Sequence, residues 1–299
     1  MSELSMSELP AGFREFWELR ANAARAAVSA GTVGVMPLAS ASPAARYAEL
    51  VIEVPGARSL SARYVRPATD APVPLVLAYP DWYQGVRGWH HLTRFVALGA
   101  AVVMLDARAL GWDAFDVTAG WEEAPEGLAL AGAYTDAMRV AAAALELPGI
   151  DRGRVCAWGE GLGGAAAVCA CALLGDEPWR VAALNPLPAG IGHAFDADVP
   201  AGPLAGITRH FRTSDPTRAQ APELAAALAY VDAANLAQLV RGSVLVGTGA
   251  MDAQAPAAGQ DELVAAAVRA SGVRQVTYPR HAHERINEFE NELVSFLVR

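Results

Sequence analysis

Val155-Cys156-Ala157-Trp158-Gly159-Glu160-Gly161-Leu162-Gly163-Gly164 is an apolar run that breaks into closely spaced glycines, followed to residue 173 by small apolar residues of helical character. Its spacing is that of a sharp strand-to-helix turn of the G-x-S-x-G kind, in which small residues two before and two after the centre let the turn close. Gly159 and Gly163 meet that need around position 161, whereas centring the turn on Glu160 would put Trp158 where a small residue is required. The centre of such a turn normally carries a nucleophilic serine, and here it is Gly161, which has no side chain with which to attack. Gly159-x-Gly161-x-x-Gly164 also fits a G-x-G-x-x-G phosphate loop. Its late place, after two or more strands, and the lack of an acidic residue closing a strand about 20 residues on argue against a dinucleotide site, so no cofactor is expected.

Working outward, Leu75–Tyr79, Ala101–Leu105, Val155–Trp158, Val181–Leu184, Val244–Val246 and Val276–Tyr278 are short apolar runs, most of them separated by helix-like stretches at 87–98, 131–147, 161–173, 259–271 and 284–298. Continuous apolar strands alternating with helices predict an α/β fold, a mostly parallel sheet covered on both faces. Residues 13–29, with Phe13, Phe16, Trp17, Leu19 and Ala23 at roughly helical spacing, read as an amphipathic helix. Tyr47–Val54 and Leu60–Val65 alternate around Pro55-Gly56 as an antiparallel hairpin. No linker divides the 299 residues, so one domain is expected, with 1–45 as an N-terminal helical extension and 186–225 as a lid insertion.

Ligands in parallel sheets collect at the carboxyl ends of strands. Asp252 lies shortly after the Val244 run, and His283 shortly after the Val276 run. Taken singly, an aspartate there could be a helix cap and a histidine a surface residue. The order elbow, acid, histidine is nevertheless that of the α/β-hydrolase fold.

The sequence resembles the acetyl xylan esterase and cephalosporin C deacetylase group of α/β hydrolases nearly end to end. Phe13-Arg14-Glu15-Phe16-Trp17 is similar to its aromatic N-terminal helix, and Asp106-Ala107-Arg108-Ala109-Leu110-Gly111 to its D-x-R-G-Q-G segment. Tyr230-Val231-Asp232 and Ala282-His283-Glu284 resemble its Y-F-D and G-H-E motifs. The resemblance implies deacetylation of small acetylated sugars and antibiotics, and a ring-shaped hexamer. It makes Asp252 and His283 the acid and base of a triad and the Leu162 N–H one oxyanion donor. The departures fall where chemistry belongs: Gly161 for serine, Tyr79-Pro80-Asp81 for the H-G-Y oxyanion segment, and Arg108-Ala109-Leu110 for R-G-Q. A carboxylate at Asp81 would oppose a developing oxyanion, and Trp82 and Tyr83 would shape an aromatic pocket wall. Glu160 is an alternative acid–base group or a solvated or capping carboxylate.

Three functions fit. Asp252 could orient His283 as a general base for elimination, isomerisation, cyclisation or decarboxylation, Gly161 leaving room for a substrate group or water. The protein could instead bind a ligand or partner without catalysis. His283 could also activate water for weak deacetylation. A net charge of -9 without a basic block argues against nucleic acid or an anionic membrane as partner and favours a neutral or cationic small molecule. The N-terminus lacks the basic-then-apolar order of a signal peptide, which implies a cytoplasmic protein. Cys156, Cys169 and Cys171 lack metal-binding spacing and read as buried, reduced thiols, and the six histidines form no metal constellation.

Overall fold

Phe13, Trp17, Ala21, Ala24 and Val28 recur every three or four residues along one side of the first helix, α1 (Phe13–Ala30), and all five are buried. That stripe pins α1 to the main body through the Trp17 indole, which donates to the Tyr230 carbonyl at 2.8 Å. The computed structural model describes residues 8–39, 42–56, 58–108, 111–175 and 178–298. Ala109 and Leu110 of the R-G-Q-like segment therefore lie outside the described residues.

Among the described residues, nine strands form one sheet in the order β1-β2-β3-β5-β4-β6-β7-β8-β9. They are β1 (Thr32–Leu38), β2 (Ala45–Glu53), β3 (Leu60–Pro67), β4 (Val73–Tyr79), β5 (Ala101–Leu105), β6 (Ile150–Glu160), β7 (Arg180–Leu184), β8 (Ser243–Gly249) and β9 (Gly272–Tyr278). The pairs β1–β2, β2–β3 and β3–β5 are antiparallel, and the remainder of the sheet is parallel. Strand β1 was not expected, and the segment 1–45 is thus more than a helical extension. Its residues are almost all exposed although several are apolar, so this edge strand shows no alternation of buried and exposed positions, and Pro37 is tolerated at an edge.

The parallel strands feed two separate cores by alternation. Leu75, Leu77 and Tyr79 join one cluster with α1, α3 (Ala129–Leu145) and α4 (Gly161–Leu174). Val76 and Ala78 join the other, with Phe95 and with Phe289 and Leu293 of α10 (Asn287–Val298). Helices thus cover both faces, as expected of an α/β sheet. Helix α4 is apolar around its whole girth and almost wholly buried, the signature of a central helix, and carries free, buried Cys169 and Cys171.

The helix expected at 87–98 is broken. A single turn, α2 (Trp89–Thr93), passes into a 3₁₀ segment, Arg94–Leu98, closed by Gly99 at φ 72°. The segment 186–225 contains α5 (Gly192–Asp196), α6 (Ala205–Thr213) and the start of α7 (Ala221–Leu228). It packs firmly: Leu204 and Ile207 are buried, and Phe195 meets Phe211 edge to face at 5.3 Å. Beyond it run α8 (Ala233–Ala237) and α9 (Ala257–Ala266). Helix α9 ends at Ala266, short of the expected 271, and α10 starts three residues later than expected, after the loop in which His283 bonds Asp252.

Candidate functional site

The turn from β6 into α4 is an elbow in its physical detail. A Cβ on Gly159 would collide with the Gly163 carbonyl, and one on Gly163 with the carbonyls of Tyr79 and Pro80, so both positions must be glycine. Gly161 opens α4 at φ 52°, a left-handed backbone that favours glycine. Strands β4 and β6 are parallel neighbours with Tyr79 opposite Gly159, so the residue two beyond Tyr79 lies alongside the elbow. That residue is Asp81.

The three atoms nearest to a Cβ built on Gly161 are the carboxyl carbon and both oxygens of Asp81, all overlapping it. Asp81 Oδ1 accepts hydrogen bonds from the backbone N–H of Leu162 at 2.9 Å and of Trp82 at 2.7 Å. Paired backbone N–H groups at a strand-to-helix turn are of the kind that receives an oxyanion in acyl transfer. The expectation of an empty space above Gly161 is therefore corrected: a carboxylate from the neighbouring strand fills it. Asp81 thus takes up both the space over Gly161 and these two N–H groups. The Leu162 N–H points at this carboxylate, and the Trp82 N–H beside it is a partner that the sequence did not single out.

Asp252 Oδ1 is anchored by the N–H groups of Gln254 at 2.8 Å and Ala255 at 3.0 Å, which leaves Oδ2 for His283 Nδ1 at 2.6 Å. On its other side, His283 Nε2 meets Asp81 Oδ2 at 2.7 Å. The side chains of His283, Asp81 and Asp252 are only 5%, 3% and 0% exposed. Burial works to lower the His283 pKa, but the hydrogen bonds and charges of Asp252 and Asp81 outweigh it and raise the pKa to about 10. At neutral pH the ring is an imidazolium that donates from both nitrogens. That state suits the ring to proton donation, and to act as the expected general base it must first give up a proton.

Asn185 is a positioning residue that the sequence did not single out. Sitting at φ 45°, it accepts from the Gly249 N–H at 2.6 Å and donates to the Ala282 carbonyl at 3.1 Å. It thereby ties the ends of β7 and β8 to the loop that carries His283. A cue was available in its place directly after the Val181–Leu184 run. Asn185→Ala leaves a buried donor and acceptor unpaired, so we expect a loss of about 2–3 kcal/mol, read as an earlier urea midpoint with an unchanged slope.

Glu160 is neither solvated nor a cap. It is 5% exposed, makes no capping hydrogen bond, forms an ion pair with Arg87 and accepts from Gln84 Nε2 at 3.1 Å. Burial raises its pKa, against the opposing pull of Arg87. Tyr83 stands at the outer edge, 41% exposed, with its ring 6.2 Å from that of His283 and 5.5 Å from that of Trp82. The Tyr79 hydroxyl faces away from the site and donates to the Ala137 carbonyl in the core. Gly202, from the segment expected to be a lid, lies where an added Cβ would meet Trp82 Nε1 and Gln254, beside the site. Asp232, of the Y-F-D-like motif, accepts from the N–H groups of Gly190, Ile191 and Ala234 and fixes the base of that segment. Among the described residues no group of three or more His, Cys, Asp or Glu side chains is arranged to hold a metal ion. No helix there is long and apolar enough to cross a membrane.

The acetyl xylan esterase family model matches residues 3–299. The chain belongs to the acetyl xylan esterase family. Acetyl xylan esterase 1 from Thermoanaerobacterium sp. JW/SL YS485 superposes with a TM-score of 0.83 at 22% identity, over 97% of this chain and 94% of that one. The acetyl xylan esterase from Paenibacillus sp. R4 gives 0.82 at 19% identity, over 97% and 96%. An acylaminoacyl peptidase from Pyrococcus horikoshii gives 0.58 at 13%, over 84% of this chain and 47% of that one, and shares the α/β-hydrolase fold. A comparison with curated proteins finds no match.

Proposed function

We propose that this member of the acetyl xylan esterase family is a small-molecule enzyme that works through a carboxylate, Asp81, in place of a serine hydroxyl. His283 is its proton donor and Asp252 orients that donor. The observation that carries the reading is that the Leu162 and Trp82 N–H groups both end on Asp81 Oδ1.

Serine-type deacetylation needs two things at this elbow: a hydroxyl on residue 161 and an empty pair of donors for the carbonyl oxygen of the substrate. Gly161 removes the first, and Asp81 takes up the second. Loss of a single oxyanion donor typically costs about 10²–10³ in turnover, and loss of the nucleophile about 10⁶. An imidazolium between two carboxylates can still give a proton to a leaving group or to an anion formed during reaction. The closed surroundings of Asp81, His283 and Asp252 favour a second reading, a protein of this family that binds a small molecule without turning it over.

The test follows acetyl transfer directly. With 4-nitrophenyl acetate, the reading expects no acetylated protein in the intact mass and nitrophenol release no faster than buffer. A transient acetyl group on a serine or threonine, appearing and disappearing at the rate of release, would sink it. Acetylated xylan oligosaccharides, suggested by the names of the relatives, are the first natural substrates on which to repeat the measurement. Small-molecule binding that survives Asp81→Asn, with no turnover by either form, would favour the second reading.

A further inference from the structure

We propose that Asp81 is itself a nucleophile, whose Oδ2 opens an epoxide to form a hydroxyalkyl ester that water then hydrolyses to a diol. This rests on the reading of Asp81 as the centre of the site. The two backbone donors hold Oδ1 alone, at 2.9 and 2.7 Å, which fixes the carboxyl plane and leaves Oδ2 with His283 as its partner, the oxygen free to form a bond once the Nε2 proton is given up. A carboxylate in this position cannot use the same donors to stabilise a second carbonyl, so esters are poor targets. Displacement at saturated carbon places no charge on a carbonyl oxygen and makes no such demand. Carboxylates serve as covalent nucleophiles in this way when the electrophile is reactive enough.

The proton inventory selects the leaving group. A strained ring oxygen needs a proton as it leaves, and His283 begins with one on Nε2. In the first step an Oδ2 lone pair forms the new C–O bond, the ring C–O bond breaks, and its electron pair takes the Nε2 proton, so that His283 becomes neutral. In the second, neutral His283 removes a proton from water, whose oxygen adds to Asp81 Cγ. The Cγ–Oδ1 π pair moves onto Oδ1, which already lies in the grip of the Leu162 and Trp82 N–H groups. In the third, the Cγ–Oδ2 bond breaks, the departing alkoxide takes the proton back from His283, and the new Asp81 carboxyl proton returns to His283. The sum is epoxide plus water to diol, with every charge restored. The donors that obstruct deacetylation are thus correctly placed for hydrolysis of an ester formed on Asp81 itself. The flanking Trp82 and Tyr83 rings provide an uncharged wall suited to an apolar epoxide, and burial raises the Tyr83 pKa, keeping its hydroxyl protonated.

The experiment uses the full chain and styrene oxide in ¹⁸O-labelled water. We expect styrene glycol to form, the glycol of the first turnover to carry unlabelled oxygen, and the peptide containing Asp81 to gain ¹⁸O over repeated turnovers. Rapid quenching of the parent enzyme should find that peptide one styrene oxide heavier. His283→Gln, which lacks the proton donor of the first step, should lose both the adduct and the glycol, and Asp81→Asn should abolish both signals. No glycol above the buffer rate, label in the first-turnover glycol with none in Asp81, or alkylation only at another residue would each overturn the proposal. If it is overturned while Asp81→Gly/Gly161→Ser gains esterase activity, the Asp81-centred site stands and only the nucleophile fails. If that double variant is silent too, the reading beneath it fails as well.

Discussion

Gly161→Ser alone should stay at background with 4-nitrophenyl acetate, whereas Asp81→Gly/Gly161→Ser should hydrolyse it at least about a thousand-fold faster than the parent. Restoring the serine alone places its Cβ on the Asp81 carboxylate and leaves Oδ1 bonded to Leu162 and Trp82. The overlap and the left-handed backbone at residue 161 together cost on the order of 2–5 kcal/mol, visible as a lower melting temperature. Removing the Asp81 side chain as well frees the volume, both backbone donors and His283 Nε2 in one change. His283 then keeps Asp252 as its only carboxylate partner, its pKa falls, and it can accept the proton of the serine hydroxyl as a base must. Esterase activity in the single variant would show that Asp81 swings away readily and that its place above Gly161 has no functional weight.

The second large effect is on stability against pH. His283 binds its proton more tightly in the folded chain, with a pKa of about 10, than in the unfolded chain near the ordinary value of 6.5. The resulting stabilisation is fully present below about pH 6.5 and is lost as the pH rises through about 10. Across that window the unfolding free energy should fall by up to about 1.4 kcal/mol per pH unit, a change readable from urea midpoints at pH 6, 8 and 10. His283→Gln should flatten this stretch of the profile. A parent profile that is already flat would mean that Asp81 and Asp252 do not both face a charged ring. The same titration predicts that any turnover depending on proton donation by His283 fails on the alkaline side, not on the acidic one.

Much of the scaffold could be read from local pattern. The six apolar runs, the hairpin around Pro55-Gly56 and the stripe of α1 each announce themselves through burial, and burial leaves a periodic trace in sequence. The exposed β1 has no such trace, and the break of 87–98 into α2 and a 3₁₀ segment depends on how that stretch packs against Trp158 and α10. The chemistry divides along the same line. Gly161, Asp252 and His283 were visible because each follows a strand in a recognisable order. Asn185 was overlooked because its task joins the ends of β7 and β8 to a loop about a hundred residues away.

The sequence by itself determined the fold family, the elbow and its missing side chain, the acid and histidine pair, and the presence of a carboxylate at position 81. Where that carboxylate sits follows only from three dimensions. The sheet order sets β4 directly beside β6, parallel and with Tyr79 level with Gly159, so that Asp81 reaches across to the centre of the elbow. Two backbone N–H groups from different strand ends, and a histidine 202 positions away in the chain, then converge on its two oxygens. Sequence records which groups are available along the chain. Which lone pair each proton meets is a matter of strand pairing and register, and here that pairing turns an apparent vacancy into a charged and occupied site.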